Sequence, residues 1–240
     1  MLKKLALAAL AMVLLGPATI LMAIALLINP AANAECTIQG SGLTVGNVPD
    51  SLQVTAKDGT RFTLNKQQLT HAATIITVGS QVEGVTRDGI QIALMAALTE
   101  STLRMLSNTG AYPESASYPN DGDASDHDSL GLFQMRPQSG WGTVKELMDP
   151  TYQAQAFFGG PTGPNYPSPR GLLDIPGWQT MSKGEAAQAV EVSAFPDRYA
   201  NYEPVAEAIV DALTTPAPGG GGGSNGAIPE TSRIVFPLPE

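Results

Sequence analysis

Cysteine and histidine are both scarce in this chain of 240 residues. Cys36 is the one cysteine, so the chain cannot build an internal disulfide, a cysteine-based zinc site or an iron–sulfur cluster. The two histidines, His71 and His127, are too few for a histidine-rich metal site, and we expect them on a helix surface and in an exposed loop. The sequence therefore predicts no cofactor and no metal centre.

Basic residues are also few, because 13 lysines and arginines stand against 22 aspartates and glutamates. The formal net charge of -9 lacks the basic surface that nucleic acid binding requires, so nucleic acid is not an expected partner. The 43% share of hydrophobic residues is nevertheless enough for one sizeable core, which excludes disorder of the whole chain.

The first 34 residues have the pattern of a targeting segment. Lys3 and Lys4 precede residues 5–28, which carry no charge, and a run of small residues follows at 31–34. As a helix, residues 5–28 are long enough to cross a membrane, whereas Ala32-Asn33-Ala34 fits the A-x-A pattern of a cleaved signal peptide. Both alternatives, the anchor and the cleaved signal, place the rest of the chain outside the cytoplasm.

Composition divides the exported part into three regions. Residues 35–64 are rich in glycine and predict a linker with a possible hairpin. Residues 65–214 predict one mostly α domain of ordinary size. Residues 215–240 predict a Gly/Pro-rich tether followed by a short apolar segment.

Capping residues and apolar periodicity place the helices of the central domain. Asn65 and Asp88 are expected to cap the first two helices, and the second should run from Gly89 to about Leu106. Further helices are expected at 144–148, 152–158, 183–192 and 202–213.

One carboxylate lies in an unusual place, near the end of the second predicted helix. Glu100 shares its helix face with the alanines at positions 93, 96 and 97, and apolar residues cover the other faces, so this helix should be buried. Burial and the negative end of a helix both raise the pKa of a carboxyl group, and a raised pKa suits a general acid. The alternative is a surface position or an ordinary ion pair between Glu100 and Arg104.

Three segments, taken in order, resemble the lysozyme-like fold of soluble lytic transglycosylases and goose-type lysozymes. They are Glu100-Ser101, the turn Gly131-Leu132-Phe133-Gln134-Met135, and Asp149-Pro150 at the start of a predicted helix. The resemblance implies a lysozyme-like α domain with a long acidic loop, preceded by the signal or membrane helix. It also implies that Glu100 is the catalytic acid of a peptidoglycan-cleaving enzyme. The implied substrate-binding residues are Ser101, Gly131, Leu132, Phe133 and Gln134.

The last motif of this family, an Ala-Tyr-Asn segment, matches least well. Ser193-Ala194-Phe195-Pro196 occupies its place, so the tyrosine that commonly contacts the acid is missing there. Tyr199 or Tyr202 could supply that hydroxyl instead.

A long loop at 112–129 holds four aspartates, at positions 121, 123, 126 and 128. Inverting hydrolysis needs a second carboxylate to activate water, and Asp126 or Asp128 would provide it. Lytic transglycosylation needs a single acid, which then acts as the base that closes a 1,6-anhydro ring. Both reactions remain open, and the resemblance to goose-type lysozymes, which carry acidic residues just before this turn, favours hydrolysis slightly. The alternative is a solvated loop whose aspartates form turns.

In the same loop, Asp121 and Asp123 resemble the first ligand positions of a calcium-binding loop. Glycine stands at the second position rather than the sixth, however, and Leu132 stands at the twelfth position in place of glutamate. The loop therefore does not change the prediction that no metal is bound.

The expected substrate is the glycan strand of peptidoglycan, cut at the β-1,4 bond between N-acetylmuramic acid and N-acetylglucosamine. The expected location is the cell membrane, facing outward, or the cell wall. Phe236-Pro237-Leu238-Pro239 resembles the entrance to a LytM-type zinc peptidase domain, which would follow this chain in a bifunctional wall hydrolase. The alternative function is a non-catalytic peptidoglycan-binding or scaffolding module of a cell-envelope assembly.

Overall fold

The structure, a computed structural model, describes residues 41–193 and 197–216. The predicted targeting segment at 1–34 lies outside the described residues, as does the predicted tether beyond residue 216. Within the described ranges, no helix is both long enough and apolar enough to cross a membrane.

Helices dominate the described residues, and two small sheets accompany them. The strands are β1 (Leu43–Val45), β2 (Ser51–Thr55), β3 (Arg61–Asn65) and β4 (Thr214–Pro216). The helices are α1 (Lys66–Gln81), α2 (Arg87–Ser101), α3 (Val144–Leu147), α4 (Pro150–Phe158), α5 (Lys183–Glu191), α6 (Asp197–Ala200) and α7 (Glu203–Leu213). Short 3-10 turns lie at Pro113–Ser117, Pro137–Ser139, Leu172–Asp174 and Trp178–Thr180. The predicted preponderance of helix is confirmed, although the architecture is mixed.

The start of α1 confirms the predicted cap. The side chain of Asn65 accepts a hydrogen bond from the backbone N–H of Gln68 at 3.0 Å, and the side chain of Gln68 accepts one from the backbone N–H of Asn65 at 2.9 Å. This reciprocal capping box satisfies two backbone donors that a helix start leaves free.

Both ends of α2 differ from the prediction. Thr86 is the N-cap, since its hydroxyl accepts from the N–H of Gly89 at 3.4 Å, and Asp88 lies in the first turn. The helix stops at Ser101 rather than near Leu106, because Thr102 and Leu103 adopt left-handed backbone angles with φ of 56° and 58°. This early stop leaves Glu100 in the last turn of the helix.

The region predicted as a linker packs on the helices from residue 41 onward. β2 and β3 form the expected antiparallel hairpin, with Leu52 opposite Leu64 and Val54 opposite Phe62. Leu64 is fully buried and Val54 is 5% exposed, so one face of the hairpin contributes to the core. The three-residue strand β1 pairs antiparallel with β4, and this sheet was not predicted because such short strands show no alternation.

α2 is the central helix of the core. All residues from 89 to 98 are buried, and the helix packs against α1, α5, α6 and α7. A helix surrounded on every side must be apolar on every side, as the sequence pattern indicated. The packing holds the last turn of α2, and Glu100 with it, in one fixed place.

Candidate active site

Glu100 lies at the C-terminal end of α2 in a half-buried position. The hydroxyl of Tyr199, from α6, donates a hydrogen bond of 2.6 Å to Oε1 of Glu100. Tyr199 is fully buried, so the core holds its ring and the hydroxyl is aimed at the carboxyl group. Of the two tyrosines that the sequence offered, Tyr199 therefore provides the hydroxyl. Tyr202 lies edge-on to Phe62, with ring centroids 6.3 Å apart.

The pKa of Glu100 is raised, and burial is the main cause. The hydrogen bond from Tyr199 and the positive charge of Arg198 oppose the shift, while the negative charge of Asp126 adds to it. Arg104 does not form the surface ion pair that was considered for Glu100, since its Nε donates to the backbone carbonyl of Ser101 at 3.1 Å. The surroundings of Glu100 therefore shift its carboxyl group toward the protonated form.

Ser101 connects the end of α2 to the turn at residues 131–135. Its hydroxyl donates to the carbonyl oxygen of Leu132 at 2.7 Å and accepts from the N–H of Arg104 at 3.1 Å. The side chain is buried at 3% exposure. Ser101 therefore holds the turn next to Glu100, because its hydroxyl is hydrogen-bonded to backbone groups of Leu132 and Arg104.

The turn depends on a glycine at position 131. Gly131 has φ of +73°, and a Cβ atom there would lie 1.8 Å from Nε2 of Gln153 and 2.7 Å from the carbonyl oxygen of Leu147. The buried side chain of Gln153 occupies this space and bonds the turn on both sides. Its Oε1 accepts from the N–H of Phe133 at 2.9 Å, and its Nε2 donates to the carbonyl oxygen of Leu130 at 2.9 Å. Only glycine satisfies both the backbone angle and the close approach.

The side chains of the turn divide between the core and a groove. Leu132 and Phe133 are fully buried, and the Phe133 ring stacks on Phe157 with centroids 4.7 Å apart. This placement differs from the expectation that both line the cleft, because their apolar side chains are needed to anchor the turn. Gln134 is half-buried, and its Nε2 donates to the carbonyl oxygen of Gly131 at 2.9 Å. It lines a groove of about 450 Å³.

His71 and Asp121 form a pair that differs from the sequence prediction. His71 was expected on a helix surface, but it is 6% exposed, with Nε2 2.7 Å from Oδ2 of Asp121. The same oxygen accepts from the N–H of Met105 at 2.8 Å. The pair borders a cavity of about 810 Å³ that contains none of the predicted site residues.

The Asp123 carboxylate likewise accepts hydrogen bonds from neighbouring residues, namely Thr109 and Ser107. In the described part of the chain, no group of three or more His, Cys, Asp or Glu side chains is arranged to hold a metal ion.

Asp128 serves as an anchor of the acidic loop. Its side chain is 4% exposed and forms an ion pair with the Nε of Arg136. Oδ2 accepts from the N–H of Gln138 at 3.0 Å and from the hydroxyl of Tyr112 at 3.3 Å. Burial by itself would raise the pKa of Asp128, but the bonds from Arg136 and Gln138 and the charge of Arg136 lower it. A carboxylate held by this many donors is a poor base for water.

Asp126 has the opposite surroundings. Its side chain is 76% exposed, and Nε2 of His127 lies 3.8 Å from its Oδ1. Its charge still reaches Glu100, whose pKa it raises. Among the four aspartates of the loop, Asp126 is therefore the one whose charge acts on Glu100 and whose side chain is largely exposed.

Glu191, which the sequence analysis did not select, also belongs to this site. It ends α5 and lines the same groove as Gln134. Burial raises the pKa of Glu191 well above its usual range, and the charge of Glu100 raises it further. The signal that identified Glu100, a glutamate at the end of a helix with an alanine-rich buried face, is present here too, with Ala186 and Ala187 buried.

The candidate site therefore comprises Glu100 with the Tyr199 hydroxyl, the exposed Asp126 whose charge acts on Glu100, and Glu191, which lines a groove with Gln134. Comparison with known proteins adds no assignment. No protein-family model matches the chain, and no curated protein matches it at a significant level.

Proposed function

We propose that this protein cleaves the β-1,4 bond between N-acetylmuramic acid and N-acetylglucosamine in peptidoglycan, with Glu100 as the catalytic acid of a lysozyme-like domain. The observation that carries the proposal is the half-buried Glu100 carboxyl group, held by a 2.6 Å hydrogen bond from the buried Tyr199. Ser101, which follows Glu100 in the chain, is hydrogen-bonded to Leu132 in the turn that carries Gln134, and Gln134 lines a groove. These features support the proposal, although Leu132 and Phe133 are buried and do not line a cleft.

In the first step, protonated Glu100 donates its proton to the bridging oxygen while the bond from that oxygen to the sugar C1 breaks. Positive charge develops at C1, and Glu100 becomes a carboxylate. The Tyr199 hydroxyl then donates to an ionised acceptor, a stronger hydrogen bond than one to a neutral group. Tyr199 thereby stabilises the carboxylate that the first step produces.

The second step decides between two products. If the C6 hydroxyl of the muramic acid attacks C1, Glu100 takes the hydroxyl proton and a 1,6-anhydro ring closes. If water attacks from the opposite face, a second carboxylate must accept its proton. We assign that role to Asp126 rather than Asp128, because Asp128 is committed to Arg136 and Gln138.

The substitution Glu100→Gln tests the proposed acid. The amide retains the size of the side chain but has no proton to donate, so turnover of purified cell walls should fall by at least about 100-fold. Release of soluble muropeptides measures the effect, and thermal unfolding checks that the variant is folded. Glu207→Gln, an exposed glutamate on α7, is the matched control and should retain activity. Near-normal turnover by Glu100→Gln would exclude Glu100 as the acid.

The substitution Asp126→Asn separates the two products. Mass spectrometry distinguishes anhydro ends, which are lighter by one water, from reducible ends. If water is the acceptor, the wild type releases reducible ends and Asp126→Asn loses most of that activity. Anhydro ends released at the same rate by both proteins would exclude Asp126 as a base and establish transglycosylation. Binding to insoluble walls without any released product would instead support the non-catalytic module.

The proposed substrate lies outside the cytoplasm, in agreement with the targeting pattern of residues 1–34. We propose that the domain acts at the outer face of the membrane, tethered through residues 5–28, or after secretion to the cell wall. A peptidase domain of the LytM type remains a proposed neighbour, on the basis of the resemblance at Phe236-Pro237-Leu238-Pro239.

A further inference from the structure

The groove that Gln134 lines contains a polar group that the fold leaves without a partner. Glu191, at the end of α5, has a buried Oε1 atom that no hydrogen-bond donor reaches among the described residues. Burying a carboxyl oxygen without a partner costs free energy, so packing alone does not account for a glutamate here. Because Glu191 lines the groove of about 450 Å³, a ligand in the groove would supply the missing partner.

The wall of the same groove carries an arginine that is free to bind a ligand. The side chain of Arg170 is exposed and forms no hydrogen bond or ion pair with the other residues that the structure describes. Arg136 also lines the groove, and its ion pair with Asp128 uses only Nε of a side chain that is 42% exposed. Guanidinium groups bind carboxylates through paired hydrogen bonds. Two arginines on one wall, in a chain with a net charge of -9, therefore favour a ligand with a carboxylate.

Glu191 does not neutralise these two arginines. No ion pair joins it to Arg136 or Arg170 within the described ranges. Burial raises the pKa of Glu191 well above its usual range, so the carboxyl group favours its neutral form. A neutral carboxyl group has an O–H that donates to a carbonyl or carboxylate oxygen. The groove thus combines hydrogen-bond donors with a net positive charge.

Apolar surface lies beside these polar groups. Val192, next to Glu191, is 79% exposed, more than any other large hydrophobic residue in the described part of the chain. Trp141 is half-buried, and its backbone carbonyl accepts a hydrogen bond of 3.0 Å from the hydroxyl of Tyr152. The other apolar residues of the lining include Met135, Pro169 and Val190. The ligand that fits this groove therefore carries small apolar groups as well as a carboxylate.

The groove is connected to the proposed acid through one turn. Ser101 follows Glu100, and its hydroxyl donates to the carbonyl oxygen of Leu132 at 2.7 Å. Gln134 comes two residues after Leu132 and lines the groove, whereas Glu100 does not. The group that the groove binds is therefore a different part of the substrate from the bond at Glu100.

We propose that this groove binds the acidic peptide that branches from muramic acid in peptidoglycan, with Arg170 as the residue that holds a peptide carboxylate. The identity of this ligand rests on the proposed function, since the peptide branches from a sugar at the bond to be cut. Its carboxylates suit Arg170 and Arg136, and its alanine methyl groups suit Val192 and Trp141. Its carbonyl oxygens accept from the carboxyl group of Glu191. Arg170 thereby determines specificity for walls that carry their peptides.

Binding of a synthetic wall peptide tests the groove without any cleavage. The probe is N-acetyl-L-alanyl-γ-D-glutamyl-L-lysyl-D-alanyl-D-alanine, and the comparison peptide has both carboxyl groups amidated. Calorimetry measures the affinity, and fluorescence reports on Trp141 because the other tryptophan, Trp178, is only 3% exposed. The acidic peptide should bind and change the fluorescence, and amidation should weaken binding by about 10-fold or more.

Substitutions on the groove wall identify the residues that bind. Arg170→Gln should weaken binding of the acidic peptide by about 10-fold or more, because the guanidinium group is lost. Arg61→Gln removes the same charge from an exposed position on β3 outside the groove, and its affinity should stay within about twofold of the wild type. Glu191→Gln keeps an uncharged donor and should bind like the wild type, whereas Glu191→Leu should bind more weakly. Thermal unfolding establishes that each variant is folded.

Three results would overturn the proposal. The first is equal affinity for the acidic and the amidated peptide, and the second is unchanged affinity in Arg170→Gln. The third comes from N-acetylmuramic acid, whose lactyl group has a free carboxylate. If this sugar binds with the same dependence on Arg170 and the peptide does not bind, the groove holds the glycan instead. Tighter binding by Glu191→Gln would show that Glu191 is an ionised group that repels the peptide, which contradicts its role as a donor.

The peptide groove and the proposed function fail on different results. If the peptide binds through Arg170 but cell walls are not cleaved, the groove is established and the proposed function fails. If walls are cleaved, Arg170→Gln should raise KM for intact walls with little change in kcat, and should not affect glycan strands freed of their peptides. An equal loss on both substrates would place Arg170 in glycan binding and overturn the assignment of the peptide.

Discussion

Glu100 is subject to two opposing influences that the structure identifies one by one. Burial raises its pKa, because the charged form loses solvation, and the hydrogen bond from Tyr199 lowers it, because that bond is stronger to the charged form. Burial is the larger influence, so the net shift is upward. The two influences can be separated by removing only the hydroxyl of Tyr199.

The substitution Tyr199→Phe should raise the pKa of Glu100. Without the 2.6 Å hydrogen bond the ionised form loses stabilisation, so Glu100 should remain protonated to a higher pH. The carboxyl titration of Glu100 by NMR measures this shift, and in a cleavage assay the alkaline limb should move upward while the maximal rate falls. Tyr202→Phe is the control, since Tyr202 packs on Phe62 instead. A downward shift of the Glu100 titration would contradict this account of the hydrogen bond.

The acidic loop at 112–129 is held in place by its aspartates, three of which are bonded to other residues of the protein. Asp121 bonds to His71, Asp123 bonds to Thr109 and Ser107, and Asp128 bonds to Arg136. Asp126 is the exception, with its side chain exposed. The three anchors fix the loop backbone and so determine where Asp126 stands relative to Glu100.

The substitution Asp128→Asn should destabilise the protein in a manner that depends on pH. The pKa of Asp128 is lowered in the folded state, so its contribution is present above the unfolded value of 3.8 and is lost as the pH falls through the folded value. We expect the free energy of unfolding at pH 7 to fall by about 1–3 kcal/mol, and the difference between wild type and variant to shrink at pH 3. Arg136 is 42% exposed and can regain water, which keeps the loss below that of a fully buried pair.

Urea unfolding at the two pH values measures both quantities. Asp126→Asn should change the free energy of unfolding at pH 7 by less than about 0.5 kcal/mol, because its side chain is exposed. An equal loss for Asp128→Asn at pH 7 and pH 3 would show that the ionised carboxylate is not the source of its stabilisation.

In the whole molecule, the hairpin and the helices form one compact unit from residue 41 onward. Leu64 of β3 is fully buried, and β1 meets β4 directly after α7, so both ends of the described unit are joined. The hairpin accordingly contributes to the stability of the helical core instead of separating it from the preceding segment.

The substitution Leu64→Ala should therefore destabilise the entire unit. Deleting a fully buried leucine side chain leaves a cavity and costs about 2–5 kcal/mol. Thermal unfolding followed by circular dichroism should show one transition at a lower temperature. Thr63→Ala, at the neighbouring exposed position, should leave the midpoint nearly unchanged. Helices that unfold at the wild-type temperature in Leu64→Ala would contradict a shared core.

Several features could be predicted because their causes are local. The Asn65 cap, the position of α4 after Asp149 and the buried character of α2 follow from neighbouring residues and from periodicity. The end of α2 was placed too late because leucine and methionine continue the apolar pattern after Ser101. The left-handed angles of Thr102 and Leu103 depend on the packing around them, which the pattern does not contain.

Helix caps and apolar periodicity depend on residues a few positions apart, so the sequence by itself determined where the helices lie approximately. That was sufficient to select Glu100 as the candidate acid. Only the tertiary structure decided which distant side chains meet it. Tyr199 reaches Glu100 across 99 positions, and Asp128 turns to Arg136 while Asp126 stays exposed. Such pairings result from the packing of α2, α5 and α6 around one core, since burial and charge at a site depend on every segment that surrounds it.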